Sequence, residues 1–185
     1  MVKIKGAILA VGKEAFMEVH GQEKYKQIIN FLDKKERDVF LGQFWPAQWY
    51  PLDNYIHLSE VIIQEIYHGD EEADLRELVY HSMEKQFSLV YKAFLTFSTP
   101  EMIFKQIPKI TNMYFQGVDV EVKMLEKCRA LVIYKGFRKE DRVIEISIRA
   151  WWEKVLEAAH AKNVAFEIQT SIAEDKGFSE YMIAW

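Results

Sequence analysis

The stretch Val118-Asp119-Val120-Glu121-Val122-Lys123-Met124 decides the fold, because apolar and charged residues alternate along it without a break. Alternation with a period of two predicts a half-buried β-strand that has one face in water. The apolar run 129–135 follows after a turn, and Gly136 ends it. The two segments therefore predict an antiparallel hairpin.

Beyond this hairpin the helical period returns once, and a second hairpin follows. Apolar residues at three- and four-residue intervals from Ile144 to Ala159 predict one long helix. The segments 164–169 and 178–185, joined around Gly177, predict the second pair of strands. This part of the chain therefore predicts an antiparallel sheet of about four strands with one helix between its hairpins.

The chain before Gly117 has mainly the helical period. Residues 2–11 begin as a short strand or extended arm, and two prolines make 44–53 an extended, aromatic-rich connection. Asp33 is placed to cap one helix, and Thr99, followed by Pro100, is placed to cap another.

These elements predict the α+β class. We expect a single domain over 1–185, because no repeat or linker divides the chain. Its N-terminal part, 1–117, is mainly helical and is expected to pack on the C-terminal antiparallel sheet of 118–185.

Composition excludes several classes of protein. The chain has 185 residues with 24 basic and 28 acidic side chains, a net charge of −4, and no long block of either sign. Nucleic acid is therefore not an expected partner, because phosphate binding needs a basic face. The single Cys128 cannot form an internal disulfide, no secretory leader is recognisable, and no apolar run approaches a membrane span. We expect a cytoplasmic protein without a membrane span.

Motifs for catalysis and metal binding are missing from the sequence. The five histidines are scattered, and the sequence has no HExxH, GxGxxG, GxxxxGK[ST] or GxSxG motif. We therefore predict no catalytic residue and no metal site, and we expect that the protein is not an enzyme. His81 has two interpretations: it faces a cavity and binds a ligand, or it lies on a helix flank and bonds a neighbouring carboxylate.

Aromatic residues make up 14% of the chain, and two groups of them bear on function. The connection from Phe44 to Tyr50 either covers the helical core or forms the wall of an apolar pocket. In the pair Trp151-Trp152 the two side chains point about 100° apart on a helix, so one can enter the core while the other lies at the rim. We assign Trp152 to a subunit interface, which predicts a homodimer.

The strings Trp49-Tyr50-Pro51-Leu52, Ser98-Thr99-Pro100-Glu101 and Tyr114-Phe115-Gln116-Gly117 carry a family resemblance. With this order of elements, the chain resembles an uncharacterised bacterial family that is abundant in myxobacteria and related to 4-vinyl-reductase domains. The same layout is shared by haem-based nitric oxide/oxygen-binding (H-NOX) domains and by small TRAPP trafficking subunits. The resemblance implies a pocket between helices and sheet that holds haem, a small hydrophobic molecule or an acyl chain.

The chain departs from these relatives at two places. Haem-binding relatives place the ligating histidine on the helix that corresponds to about 99–115, where this chain has none, and their Tyr-x-Ser-x-Arg motif is missing. We therefore predict no cofactor and regard haem as disfavoured. The segment Ser171 to Ser179 also lacks the cysteines that suggest a metal in 4-vinyl-reductase domains.

Two functions follow as hypotheses. The first is a non-catalytic sensor or ligand-binding module that holds a small apolar or amphipathic molecule between helices and sheet, with a role in signalling. The second is a homodimeric protein-interaction or scaffold subunit with a filled core. The residues that we expect around the ligand are Trp45, Trp49, Tyr80, His81, Phe94, Met102 and Tyr114.

Overall fold

The computed structural model of the protein describes residues 1–67, 71–86, 98–126 and 128–185, with the side chains of 71–74, Gln86 and Glu126 left out. The chain divides into two compact units, one of Lys3–Gln86 and one that reaches Trp185 and is described from Ser98 onward. The single domain expected over 1–185 stays a prediction.

The first unit is a small helical assembly with one short pair of strands. Strands β1 and β2 are antiparallel, with Ile4 opposite Tyr50. Asp33 caps the third helix as predicted, because its carboxylate accepts a hydrogen bond from the backbone N–H of Glu36 at 2.8 Å. The elements are β1 (Lys3–Lys5), α1 (Gly6–His20), α2 (Gln22–Ile29), α3 (Lys34–Leu41), β2 (Trp49–Pro51), α4 (Leu52–Ile66) and α5 (Glu71–Gln86).

The short strand expected at the start of 2–11 is present as β1, but helix α1 begins already at Gly6. The chain crosses closely over the turn before β2 at this point, where the N–H of Gly6 donates to the carbonyl of Gln48 at 2.8 Å. A Cβ on Gly6 would lie 2.2 Å from the carbonyl oxygen of Trp45. Only glycine fits such an approach.

Lys13 of α1 joins this helix to the end of α3 in the first unit. Its ammonium group donates to the carbonyls of Phe40 and Gly42 at 2.8 and 3.0 Å, and so binds the C-terminal end of α3. The Tyr25 hydroxyl donates to the same Phe40 carbonyl at 3.1 Å. Burial lowers the pKa of Lys13. The large side chains buried here include Phe16, Tyr25, Ile28, Ile29, Phe40, Phe44, Leu52 and Ile56.

The second unit contains the predicted sheet. Its four strands lie in the order β4-β5-β7-β6, and every neighbouring pair is antiparallel. The elements are α6 (Pro100–Tyr114), β3 (Phe115–Gln116), β4 (Asp119–Glu126), β5 (Arg129–Lys135), α7 (Ile144–Ala158), β6 (Ala165–Thr170) and β7 (Phe178–Ala184). The α+β class, the four strands and the helix between the two hairpins are therefore confirmed.

The strand register places Val132, Tyr181 and Ile168 side by side on one face of this sheet. Val132 of β5 lies opposite Tyr181 of β7, which lies opposite Ile168 of β6. Val132 and Tyr181 are fully buried, whereas Ile168 on the edge strand is 48% exposed. A register shift between Ile168 and Thr170 marks a β-bulge in this edge strand.

Helix α6 begins as the sequence predicts and is not ended by its internal proline. Thr99 accepts a hydrogen bond from the N–H of Met102 at 3.4 Å, and Pro100 occupies the first turn. Pro108 lies inside the helix, which continues to Tyr114. The buried residues of this helix are Ile103, Phe104, Ile107 and Thr111.

Candidate functional site

Trp152 lies in the centre of the second unit. Its side chain is fully buried, and its Nε1–H donates to the hydroxyl of Tyr134 at 3.2 Å. Phe104 stacks between Trp152 and Trp185, with ring centroids 4.6 and 4.7 Å apart. The assignment of Trp152 to a subunit interface disagrees with this burial, because no part of the ring is exposed. Trp151 is the partly exposed member of the pair.

Glu145, in the first turn of α7, binds three hydrogen-bond donors. Its carboxylate accepts from the Tyr181 hydroxyl at 2.7 Å, from the Ser171 hydroxyl at 2.7 Å and from the N–H of Ile172 at 3.0 Å. The carboxylate thereby joins α7, β7 and the turn that follows β6. Sequence reasoning missed this cluster, because its members are distant in the chain; the one local signal is an acidic residue between Ile144 and Ile146.

The two buried tyrosines of this unit stay protonated. Burial raises the pKa of Tyr134 well above its ordinary value, and the hydrogen bond with Trp152 offsets this only in part. Burial also raises the pKa of Tyr181, and the charge of Glu145 adds to the effect. Both hydroxyls are therefore hydrogen-bonding groups rather than bases.

The aromatic connection before α4 is a packed turn. The Tyr50 hydroxyl accepts from the N–H of Trp45 at 3.1 Å and donates to the side chain of Gln48 at 3.2 Å. Phe44 is buried and meets the Tyr50 ring edge to face at 5.2 Å. Trp45 points outward and is 60% exposed. The connection thus covers part of the helical core and also leaves one indole exposed.

Trp49 and the two candidates on α5 each contact a charged side chain. The Lys5 ammonium lies 4.0 Å from the centre of the Trp49 ring, a cation–π contact. The Tyr80 hydroxyl accepts from the Arg76 guanidinium at 3.0 Å. The Nε2 atom of His81 lies 3.2 Å from the carboxylate of Glu18 on α1, the flank arrangement that was one of its two interpretations.

Glu18 also binds Lys85, and these contacts set its charge. Hydrogen bonds from Lys85 and then from His81 lower the pKa of Glu18. Two further histidines join helices of the same unit: His20 bonds the Tyr67 hydroxyl at 3.0 Å, and His57 bonds Glu36 at 2.6 Å. The described histidines of the first unit therefore all lie at contacts between helices.

The remaining candidates belong to the second unit or lie outside the described residues. Met102 is 46% exposed, and Tyr114 is half-buried, with burial raising its pKa. Phe94 lies outside the described residues. The structure thus places Trp45 and Trp49 in one connection, Tyr80 and His81 on one helix, and Met102 and Tyr114 on another.

Over 1–67, 71–86, 98–126 and 128–185, no group of three or more His, Cys, Asp or Glu side chains is arranged to hold a metal ion. Within the same ranges, no helix is long and apolar enough to cross a membrane.

Solved structures of H-NOX proteins resemble this chain over nearly its whole length. A structure described as probing haem distortion in the H-NOX family has a TM-score of 0.72 at 13% identity, covering 98% of this chain and 95% of that one. An H-NOX protein from S. oneidensis in the Fe(II)NO state has a TM-score of 0.71 at 10% identity, covering 97% and 98%. An oxygen-binding H-NOX domain related to soluble guanylate cyclases has a TM-score of 0.69 at 13% identity, covering 98% and 94%.

The chain matches no family model and no curated protein. At these identities the similarity establishes an H-NOX-like fold. The relation to the myxobacterial family and to 4-vinyl-reductase domains stays a prediction.

The prediction that the chain takes no cofactor is contradicted by these matches, because the structures that share its fold belong to haem and iron-ligated proteins. Haem was disfavoured because the histidine over 99–115 and the Tyr-x-Ser-x-Arg motif are both missing. Haem iron is also bound by methionine, cysteine or tyrosine in proteins, so the missing histidine does not exclude the cofactor.

Proposed function

We propose that the chain is a non-catalytic sensor module that binds a small molecule. The observation that carries this proposal is the H-NOX-like fold, which extends over 97 to 98% of the chain in the matched structures. A fold alone does not fix a function, so the proposal needs a direct test of ligand binding.

The buried polar groups of the second unit form structural contacts rather than a catalytic arrangement. In the second unit the carboxylate of Glu145 binds three donors of the same unit, and the Tyr134 hydroxyl accepts from Trp152. A general acid or base needs a proton that it can exchange with a substrate. These groups use their hydrogen bonds to hold elements together.

Haem is the first ligand to test, and the chain has residue types that fit it. His81 carries an imidazole beside Glu18, and metal-bound histidines commonly have such a carboxylate neighbour. Tyr114 carries a half-buried phenol on α6, although burial raises its pKa and opposes the phenolate form that binds iron. A bound haem would supply an iron atom able to take up a diatomic gas.

The first experiment is native mass spectrometry of the protein purified from its host, followed by extraction of any bound molecule. A retained tetrapyrrole or other small apolar molecule would support the sensor proposal and identify the ligand. A ligand-free mass, together with no thermal shift from haem, protoporphyrin or lipids, would overturn it.

The second experiment is an anaerobic haem titration followed by absorption spectroscopy. If His81 ligates the iron, His81→Ala shifts the Soret band and weakens binding, whereas His57→Ala does not. Tyr114→Phe, with Tyr55→Phe as its control, tests the phenol in the same way. Haem binding with a spectrum that neither variant changes would reject both residues as ligands while keeping haem as the cofactor.

A further inference from the structure

The outer face of α6 carries an unusual combination of side chains. Met102 and Met113 are 46% and 54% exposed, and they lie three helical turns apart, roughly 16 Å along the axis. Lys105 and Lys109 lie between them and are exposed. At about 100° per residue these four positions share one side of the helix. We call them the Met-Lys face.

The charge of the Met-Lys face is not balanced locally. From Met102 to Val118 the sequence contains two lysines and no acidic residue. Among the described residues, Lys109 forms no ion pair, and Lys105 has only an attraction to Glu101 at the start of the helix. Glu101 is itself engaged, because hydrogen bonds from its own backbone N–H and from Thr99 hold its pKa low and Trp185 adds another.

Helix α7 of the same unit is a useful contrast, because its surface charges pair with one another. Arg149 donates to Glu153 at 3.1 Å, and Lys154 donates to Glu157 at 3.2 Å. Such i, i+3 and i, i+4 pairs are what a solvent-facing helix normally displays. The Met-Lys face instead presents two cations and two flexible thioethers.

From this contrast we infer that the Met-Lys face is a docking surface for an acidic amphipathic helix of a partner protein. Two lysines one turn apart match carboxylates at the same spacing on a partner helix, which gives the partner its charge. Unbranched, polarizable methionines adapt to the apolar side chains of a bound helix. The inference does not depend on which ligand the chain binds, although Met102 is also a candidate ligand contact.

The probe is a synthetic helical peptide of roughly 18 residues, or five turns. It carries leucines at i, i+4, i+7 and i+11, glutamates beside them, and a fluorescent label, and a matched peptide carries lysine for every glutamate. Fluorescence anisotropy at low salt measures binding to the full chain. We expect the acidic peptide to bind, the basic peptide not to bind, and added salt to weaken the complex, since exposed charges are screened.

Charge reversal at the lysines is the decisive comparison. We expect K105E/K109E to lower the affinity for the acidic peptide by about tenfold or more and to bind the basic peptide. K34E/K35E reverses two adjacent exposed lysines on α3 and is expected to change neither. Met113→Gln tests the apolar part and is expected to weaken binding without altering the circular dichroism spectrum.

Four results would overturn the inference. The acidic peptide could fail to bind, or it could bind K105E/K109E as tightly as the natural chain. Binding to phosphatidylglycerol vesicles that K105E/K109E abolishes, without binding to the peptide, would assign the face to an anionic membrane. A dimer in light scattering that Met113→Gln dissociates would assign it to a second copy of the chain.

Discussion

The two units use their polar side chains in different ways. In the first, Lys13, His20, His57 and His81 join helices from partly exposed positions, and each contact involves a group that carries or can acquire a charge. In the second, Tyr134 and Tyr181 are buried and bond to Trp152 and Glu145. The difference implies that the first unit is sensitive to pH and salt, whereas the second depends on packing and on hydrogen bonds away from water.

The largest expected effect is the loss of the stacked ring at the centre of the second unit. Trp152→Ala removes a fully buried indole and should lower the free energy of unfolding by about 3–5 kcal/mol. Chemical denaturation followed by circular dichroism measures this loss. Trp151→Ala is the matched control, since that ring is partly exposed and should cost clearly less. Equal losses of unfolding free energy would contradict the assignment of Trp152 to the core.

The next effect concerns the carboxylate that joins α7 to β7 and the turn after β6. Glu145→Ala leaves the hydroxyls of Tyr181 and Ser171 and one backbone N–H without their acceptor, so it should cost about 2–3 kcal/mol. Glu157→Ala, at an exposed site paired with Lys154, should cost little. Urea unfolding compares the two. A loss no larger than that of the control would mean that the cluster contributes nothing to stability.

In the first unit, Lys13→Met tests the cation at the end of α3. The variant keeps much of the aliphatic stem but removes two hydrogen bonds to carbonyls, and we expect a loss of about 1–2 kcal/mol. Lys26→Met is the control, because Lys26 is exposed and bonds only Glu23 on its own helix. Thermal unfolding measures the stability of the two variants. If Lys26→Met lost as much stability as Lys13→Met, the role of Lys13 at the end of α3 would be rejected.

The smallest expected effect is the one that most directly separates the units. Burial and then Lys24 lower the pKa of His20, so the unfolded chain binds a proton at a higher pH than the folded chain does. Stability from His20 is therefore present above its ordinary pKa, about 6.5, and is lost as the pH falls from there toward the folded value. His20→Gln should therefore make the melting temperature depend less on pH between about pH 7.5 and 5.5, the range in which histidines ordinarily titrate.

Gln116→Ala is the matching control, because Gln116 is an exposed residue of the second unit whose amide side chain does not titrate. It should leave the profile unchanged. If both variants altered the profile equally, the proposed difference in pH sensitivity between the units would be lost.

Much of the fold could be predicted because its signals are local. The alternation at Val118–Met124, the cap at Asp33 and the start signal at Thr99 depend on neighbouring residues, and each appears in the structure. The short strand expected at the start of 2–11 is present as β1, but it ends early because a contact distant in sequence, Gly6 against the carbonyl of Trp45, lies where α1 begins.

The site was less predictable, since it depends on contacts between distant residues. Trp151 and Trp152 both fit the apolar spacing of α7, because Trp151 lies four residues before the buried Val155 and Trp152 lies four before the buried Leu156. Periodicity therefore does not decide which of the two rings lies inside. The Glu145 cluster joins residues 26 to 36 positions apart, which no periodicity can reveal. Haem was wrongly disfavoured, because a missing histidine and a missing Tyr-x-Ser-x-Arg motif do not exclude other haem ligands.

The register shift in β6 affects how readily this edge strand could pair with a second copy of the chain. A straight edge strand with exposed Ile168 would offer its free backbone groups to the edge of another copy and could seed aggregates. The shift between Ile168 and Thr170 interrupts that row, and the exposed charge of Glu167 opposes a like-charged copy. The irregularity therefore leaves fewer consecutive backbone groups with which the edge of a second copy could pair.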